Sequence, residues 1–177
     1  ERLFLILVPR HPERAVGIAK SLDHNNYRFA WRSRREPVTE DTDIYLADTL
    51  GELGLFMRLA DVVVMGGSFA PALGGGTVGG HNPLEPARLG KPIVSGPDCS
   101  NWLEVTRLLK QANALTSVLS PAQLPEVVGP LLNDPQTARD MGERARRAAN
   151  EASAGLDRLW ISLQRHLPPP PSRRPGR

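Results

Sequence analysis

The sequence predicts an α/β fold of the Rossmann-like, doubly wound class, built on a parallel sheet. Three observations carry that expectation. Short apolar runs alternate with helix-like stretches along the 177 residues, which is the pattern of repeated strand–helix–strand units. The first run, LFLILVP (Leu3–Pro9), is continuously apolar, as a strand buried on both faces of a parallel sheet should be. Glycines and prolines fall between the runs, most densely from Gly66 to Gly80, where turns and loops are expected.

The elements follow in order. After the first strand, Pro12 and Glu13 open a helix to about Leu22, since proline suits the first helical position. Tyr27–Arg32 reads as a short strand, Ser33–Asp43 as a charged loop and Ile44–Ala47 as a third strand. Gly51–Ala60 reads as a helix with Leu53, Phe56, Met57 and Ala60 on one face, a helical spacing. Asp61–Met65 (DVVVM) is a fourth strand. Beyond the Gly-rich stretch, Asn82–Leu89 is helical, Ile93–Ser95 a strand, Ser100 the cap of a helix to about Gln111, and Ala114–Leu119 a sixth strand. Ser120-Pro121 and Asp134-Pro135 each combine a capping residue with a proline, a helix-start signal. The last helix extends to about His166, with Met141, Ala145, Ala149, Ala152, Leu156, Leu159 and Leu163 at helical spacing.

Composition narrows the classes. Hydrophobic residues make up 40% and charged residues 23%, enough for a packed core. The net charge of +3 resides in a Pro-rich tail from Pro168 that holds Arg173, Arg174 and Arg177 and no acid. The body is neutral without it, so the basic balance does not indicate a nucleic-acid partner. The tail, 168–177, is expected to be disordered. The single cysteine, Cys99, excludes an internal disulfide and fits a reducing compartment. No apolar run approaches the ~20 residues of a membrane span. The opening is read as that of a fragment of a longer protein, because Glu1 and Arg2 lead straight into a strand.

Doubly wound sheets bind ligands beyond the C-terminal ends of their strands. Three loops therefore draw attention: Pro9–Arg14, Asp48–Glu52 and Gly66–Glu85. In the first, Arg10 could grip a phosphate or be a solvated surface group. His11 could donate to a ligand but is better read as a helix cap, and Arg14 as structural. In the second, Asp48 or Thr49 could cap the helix and Glu52 suits its positive first turn. Alternatively, backbone N–H groups around Leu50 and Gly51 face a ligand. In the third, GGS (Gly66–Ser68) follows a strand and GGHNPLEPA (Gly79–Ala87) opens a helix. There Gly67, Ser68 and Gly80 would let a ligand approach the backbone, and a helix N-terminus attracts phosphate. Glu85 could accept hydrogen bonds from ribose hydroxyls, or merely stabilise its helix by roughly 0.3–1 kcal/mol.

Gly74, Gly76 and Gly79 also spell G-x-G-x-x-G, followed by Asp98. A dinucleotide fingerprint should begin where a strand ends, and the fourth strand ends well earlier. His11, His24, His81 and His166 show no metal-ligand spacing, and neither a nucleophile elbow nor a Walker lysine is present.

Taken together, LILVPRHPER, ADTLGELGLFMRLADVVVMGGS and GGHNPLEPARLGKPIVSGP resemble the C-terminal half of bacterial 3-deoxy-D-manno-octulosonic acid (Kdo) transferases, over about residues 3–165. The resemblance implies the C-terminal half of a GT-B glycosyltransferase. It implies a nucleotide-sugar (CMP-Kdo) domain over residues 1–167, an inverting and metal-independent transfer to a lipid A precursor, and no cofactor. The general base would be a Glu of an N-terminal domain, so no catalytic residue is expected in this chain. That N-terminal end would also anchor the full protein to the cytoplasmic face of the inner membrane, while this fragment alone would be soluble. By motif, the CMP contacts fall on Pro9, Arg10, Leu50, Gly51, Glu52, Asn82, Pro83, Leu84 and Glu85. Two departures stand out. The family has about four residues between Ser68 and Gly79, where this chain has ten, Phe69–Val78. The family also reads GPHTFNF where this chain reads GPDCSNW, with Asp98 for a His and Ser100 for a Phe. The alternatives are a GT-B donor domain for a UDP-sugar and a non-catalytic nucleotide-binding domain.

Overall fold

The structure, a computed structural model, describes residues 3–164, so the tail from Pro168 lies outside the described residues. The chain divides into two compact units, with the boundary between Val63 and Val64. All six expected strands are present, in two three-stranded sheets. The α/β class is correct, and pairing is parallel for β1 with β3, β2 with β3 and β5 with β6.

The first unit holds β1 (Leu5–Leu7), α1 (Ala15–His24), β2 (Phe29–Trp31), β3 (Ile44–Leu46) and α2 (Leu53–Leu59), with a 3-10 turn at Pro12–Arg14. Its sheet order is β1-β3-β2. Ala15, Ala19, Trp31 and Leu46 form its core, with Leu7, Ile18 and Phe29 packed against them. The small side chains of α1 let the helix approach the large Trp31 ring. β2 is an edge strand, and at its last residue both backbone groups are met by Glu36: the Trp31 N–H donates to the Glu36 carboxylate (2.9 Å) and the Glu36 N–H to the Trp31 carbonyl (3.2 Å).

The second unit holds β4 (Val63–Val64, its first residue at the boundary), α3 (Leu84–Arg88), β5 (Ile93–Ser95), α4 (Leu103–Gln111), β6 (Leu115–Ser117), α5 (Leu124–Asn133) and α6 (Pro135–Gln164). Its sheet order is β4-β5-β6. Ile93, Val94 and Leu109 are fully buried, and α6 contributes buried Ala138, Met141, Ala145, Ala148 and Ala149. The helix α6 packs on α3, α4 and α5. Its start is the one expected: Asp134 accepts the N–H groups of Gln136 (3.0 Å) and Thr137 (3.2 Å), replacing bonds that a first turn lacks.

Several local expectations are corrected. β1 is not buried on both faces: Leu3, Phe4 and Leu5 are exposed, because β1 lies at one side of its sheet and not at the centre. His11 stands at the N-cap position but makes no side-chain cap. Pro12 offers no N–H, and the Arg14 N–H is already taken by the His11 carbonyl (3.0 Å). Neither Asp48 nor Thr49 caps α2, which starts at Leu53, after Gly51 with φ +82°, a left-handed backbone that cannot enter a helix. Ser100 does not cap α4 either, because its hydroxyl donates to Asp98 (2.8 Å). On α6, Ala152 and Leu163 fall outside the packed stripe and are exposed.

Candidate functional site

Because β1 and β3 are parallel neighbours, the loops leaving their C-terminal ends emerge on one side of the first unit. The Ala47 N–H donates to the Leu7 carbonyl (2.9 Å), which aligns the two exits. The structure thus brings Pro9, Arg10 and His11 to the same sheet end as Leu50, Gly51 and Glu52. Arg10 is exposed and pairs with no acid among the described residues. His11 Nδ1 lies 3.5 Å from the Glu13 carboxylate.

The loop after β3 is held from beneath. Asp48 accepts the Trp31 indole N–H, the Ser33 N–H (2.9 Å) and the Ser33 hydroxyl (2.7 Å). Burial pushes its carboxyl up, but the Ser33 hydroxyl and the indole outweigh it and hold the group below its ordinary range. Arg32 grips Glu52 with two bonds, 3.0 Å from Nε and 2.5 Å from Nη2. The Thr49 hydroxyl donates to the same carboxylate. A bidentate guanidinium pair fixes orientation as well as distance. The side chain of Glu52 is therefore engaged within the protein, and what this loop presents outward is backbone. Leu50 is 79% exposed at its tip, and the N–H groups of Leu50 and Gly51 meet no acceptor among the described residues. Successive unpaired amides in such a turn form a concavity suited to an anion.

Sequence reasoning missed Arg32. Its partner stands 20 positions away, and no local pattern links the two. A test follows from the chemistry. Arg32, and then Thr49, lower the Glu52 carboxyl from 4.5 to about 2. A carboxyl depressed in the folded state stabilises it fully above its unfolded value, and that contribution fades as pH falls through the folded value. Glu52→Gln should thus be less stable than wild type above pH 4.5. The gap in urea midpoint should close as pH falls from there toward about 2. A gap independent of pH would show that the ion pair contributes nothing.

In the second unit, the chain leaving β4 runs beside the chain leaving β5. Ser68 is fully buried, its hydroxyl donating to the Met65 carbonyl (2.7 Å) and accepting the Gly96 N–H (2.8 Å). The His81 N–H donates to the Gly66 carbonyl (3.2 Å), which brings the Gly79–Glu85 segment onto Gly66 and Gly67. Gly67, Ser68, Gly80 and Asn82–Glu85 therefore share one region. Asn82 Oδ1 accepts the Leu84 N–H (3.0 Å), and Asn82 Nδ2 reaches Glu85 Oε1 at 3.4 Å. Pro83 is buried and Leu84 partly so, while Glu85 is exposed. The helix α3 that they open has only five residues, so its dipole is a weak source of attraction. Gly74 closes a 3-10 turn inside the loop and does not end a strand, as a dinucleotide fingerprint would require.

Asp98 Oδ2 accepts the N–H groups of Val78 (2.9 Å) and Gly79 (2.7 Å), and Oδ1 accepts the Ser100 hydroxyl. The Gly79 amide first, then the Ser100 hydroxyl, hold this carboxyl below its ordinary value. The two departures from the family pattern, the long insert and the Asp98–Ser100 pair, are thus bonded to each other. Among the described residues no three His, Cys, Asp or Glu side chains converge as metal ligands do. No described helix is long and apolar enough to cross a membrane.

Comparison with known proteins gives a consistent result. No family model matches the chain. It is 34% identical over 166 residues to a 3-deoxy-D-manno-octulosonic acid transferase of Haemophilus influenzae, covering 93% of the chain and 38% of that protein. It is 34% identical over 168 residues to a probable mitochondrial 3-deoxy-D-manno-octulosonic acid transferase of Arabidopsis thaliana, covering 92% and 36%. The chain thus spans little more than a third of the length of these relatives. Among solved structures, the C-terminal CMP-Kdo binding domain of WaaA from Acinetobacter baumannii superposes with a TM-score of 0.76 at 32% identity, covering 82% of this chain and 73% of that one.

Proposed function

Since the chain belongs to the 3-deoxy-D-manno-octulosonic acid transferase family, we propose that it is the donor-binding part of an enzyme that moves Kdo from CMP-Kdo to a lipid A precursor. The observation that carries the reading is the likeness to a CMP-Kdo binding domain over most of both chains. The residues agree with it. Pro9, Arg10, Leu50, Gly51 and Glu52 supply a cation and outward amides for a phosphate. Asn82, Pro83, Leu84 and Glu85 supply a carboxylate for ribose hydroxyls, with Gly67, Ser68 and Gly80 shaping the backbone nearby and His11 beside Arg10 as a further donor. In this reading the proton-removing group is a Glu of the N-terminal part of the enzyme, as the resemblance to the family implies. The acceptor and the inner-membrane surface are likewise met by the full-length protein at the cytoplasmic face.

Calorimetry on the 177-residue chain tests this reading. Weak but saturable CMP binding is expected, with UMP bound less well and no transfer of Kdo to a lipid A precursor by the chain alone. A CMP Kd weaker than about 1 mM, corresponding to about −4 kcal/mol, would sink the donor reading. Equal affinity for UMP would favour a UDP-sugar instead. Transfer by the chain alone would overturn the division of labour.

A further inference from the structure

We infer that Asp98 is a positioning residue of the donor site: its carboxylate pins the Val78–Gly79 turn from which the Asn82–Glu85 segment departs, and closes the inserted loop 69–78 at its base. This rests on the reading of Asn82–Glu85 as donor contacts.

Both ends of the insert are bonded to one short turn, residues 96–101. At the entry, the Ser68 carbonyl accepts the Asp98 N–H (3.0 Å) and the Ser68 hydroxyl accepts the Gly96 N–H (2.8 Å). At the exit, Asp98 Oδ2 takes the Val78 and Gly79 amides, the Asn101 side-chain amide donates to the Val78 carbonyl (3.0 Å), and the Asn101 N–H donates to the Gly79 carbonyl (3.1 Å). The approach leaves no room for a side chain at either glycine. Gly79 has φ +81°, and a Cβ there would stand 2.2 Å from the Asn101 carboxamide; one at Gly80 would stand 2.8 Å from the Asp98 carbonyl.

A carboxylate suits this place because its two oxygens accept several donors at once. A neutral imidazole offers a single acceptor nitrogen. Longer loops lose more entropy on closure, so a ten-residue loop needs its ends held. Asn82 follows Gly79 by three residues and can lie no further than roughly 10 Å from it. A shift of the pinned turn therefore reaches the donor contacts directly.

The test uses the full 177-residue chain as wild type, Asp98→Asn and the milder Ser100→Ala, with amide hydrogen exchange and CMP calorimetry on each. Asparagine keeps the shape but turns one acceptor oxygen into a donor. In Asp98→Asn, amides from Val78 to Leu84 should exchange about tenfold faster, those of β5 and β6 should not change, and the CMP Kd should rise about tenfold. Ser100→Ala should change both readouts in the same direction and less. Unchanged exchange at His81, Asn82 and Leu84 with unchanged CMP affinity would overturn the inference. So would faster exchange throughout β5 and β6, which would make Asp98 a general support of the unit. If the wild type binds no CMP, the donor reading falls, and the exchange at His81, Asn82 and Leu84 still decides whether Asp98 positions that segment.

Discussion

Truncation of Arg10 to alanine is expected to weaken CMP binding by about ten- to a hundredfold while leaving cytidine binding nearly unchanged. The guanidinium stands exposed at the exit of β1, beside the loop that presents the Leu50 and Gly51 amides. A hydrogen bond to a charged group contributes about 1.5–3 kcal/mol, and each ~1.4 kcal/mol is a factor of ten. Cytidine carries no phosphate and has nothing to lose. The measurement is calorimetry with both ligands on both proteins. Equal losses for CMP and cytidine would assign Arg10 to the structure of the loop. Because Arg10 contributes no ion pair among the described residues, the melting temperature should stay the same, which separates a binding defect from a folding one.

The second large effect concerns stability. Gly142 on α6 faces the turn after α3, and a Cβ there would stand 2.0 Å from the Gly90 carbonyl oxygen. That neighbour is backbone and cannot rotate away. Overpacking of this kind costs about 1–3 kcal/mol, so Gly142→Ala should lower the urea midpoint clearly, and Gly142→Val should lower it further. Gly17 on α1 is the internal control, since a Cβ there meets nothing within 4 Å. Alanine favours a helix over glycine by roughly 0.8–1 kcal/mol, so Gly17→Ala should be neutral or stabilising. Equal midpoints for Gly142→Ala and wild type would show that α3 and α6 can separate without loss.

The course of the chain was largely legible before the structure. Short apolar runs located all six strands, and the Asp134-Pro135 signal placed the start of α6 correctly. What failed was the assignment of polar side chains to caps. Asp48, Thr49 and Ser100 stand where caps are expected by spacing, yet each is bonded to a tertiary or loop partner: Trp31 and Ser33, Glu52, and Asp98. A local rule reads only neighbours in sequence, and these partners lie elsewhere or compete successfully nearby. The same reason hid Arg32, whose value depends on a residue 20 positions on. Where the loops leave the strands was legible because parallel strands put their exits at the same end of their own sheet whatever the details. The insert was visible as a loop of ten residues, Phe69–Val78, where the family has about four, and Asp98 as an unusual substitution. That one fastens the other could not be read from the sequence, because hydrogen bonds between them depend on the fold.

The Glu36 contacts with Trp31 have a consequence for how copies of this chain behave toward one another. A bare sheet margin is a template on which a second chain can align its own peptide groups, the first step toward aggregates. Along β2 that template is spoiled at its last residue. The Trp31 donor and acceptor are satisfied by a residue five positions on, which acts as a one-residue stand-in for a neighbouring strand. The Arg34 guanidinium, 3.7 Å above the Trp31 ring, adds a charge where an incoming chain would need an apolar surface. Protection of that end of the edge is thus written into a single turn.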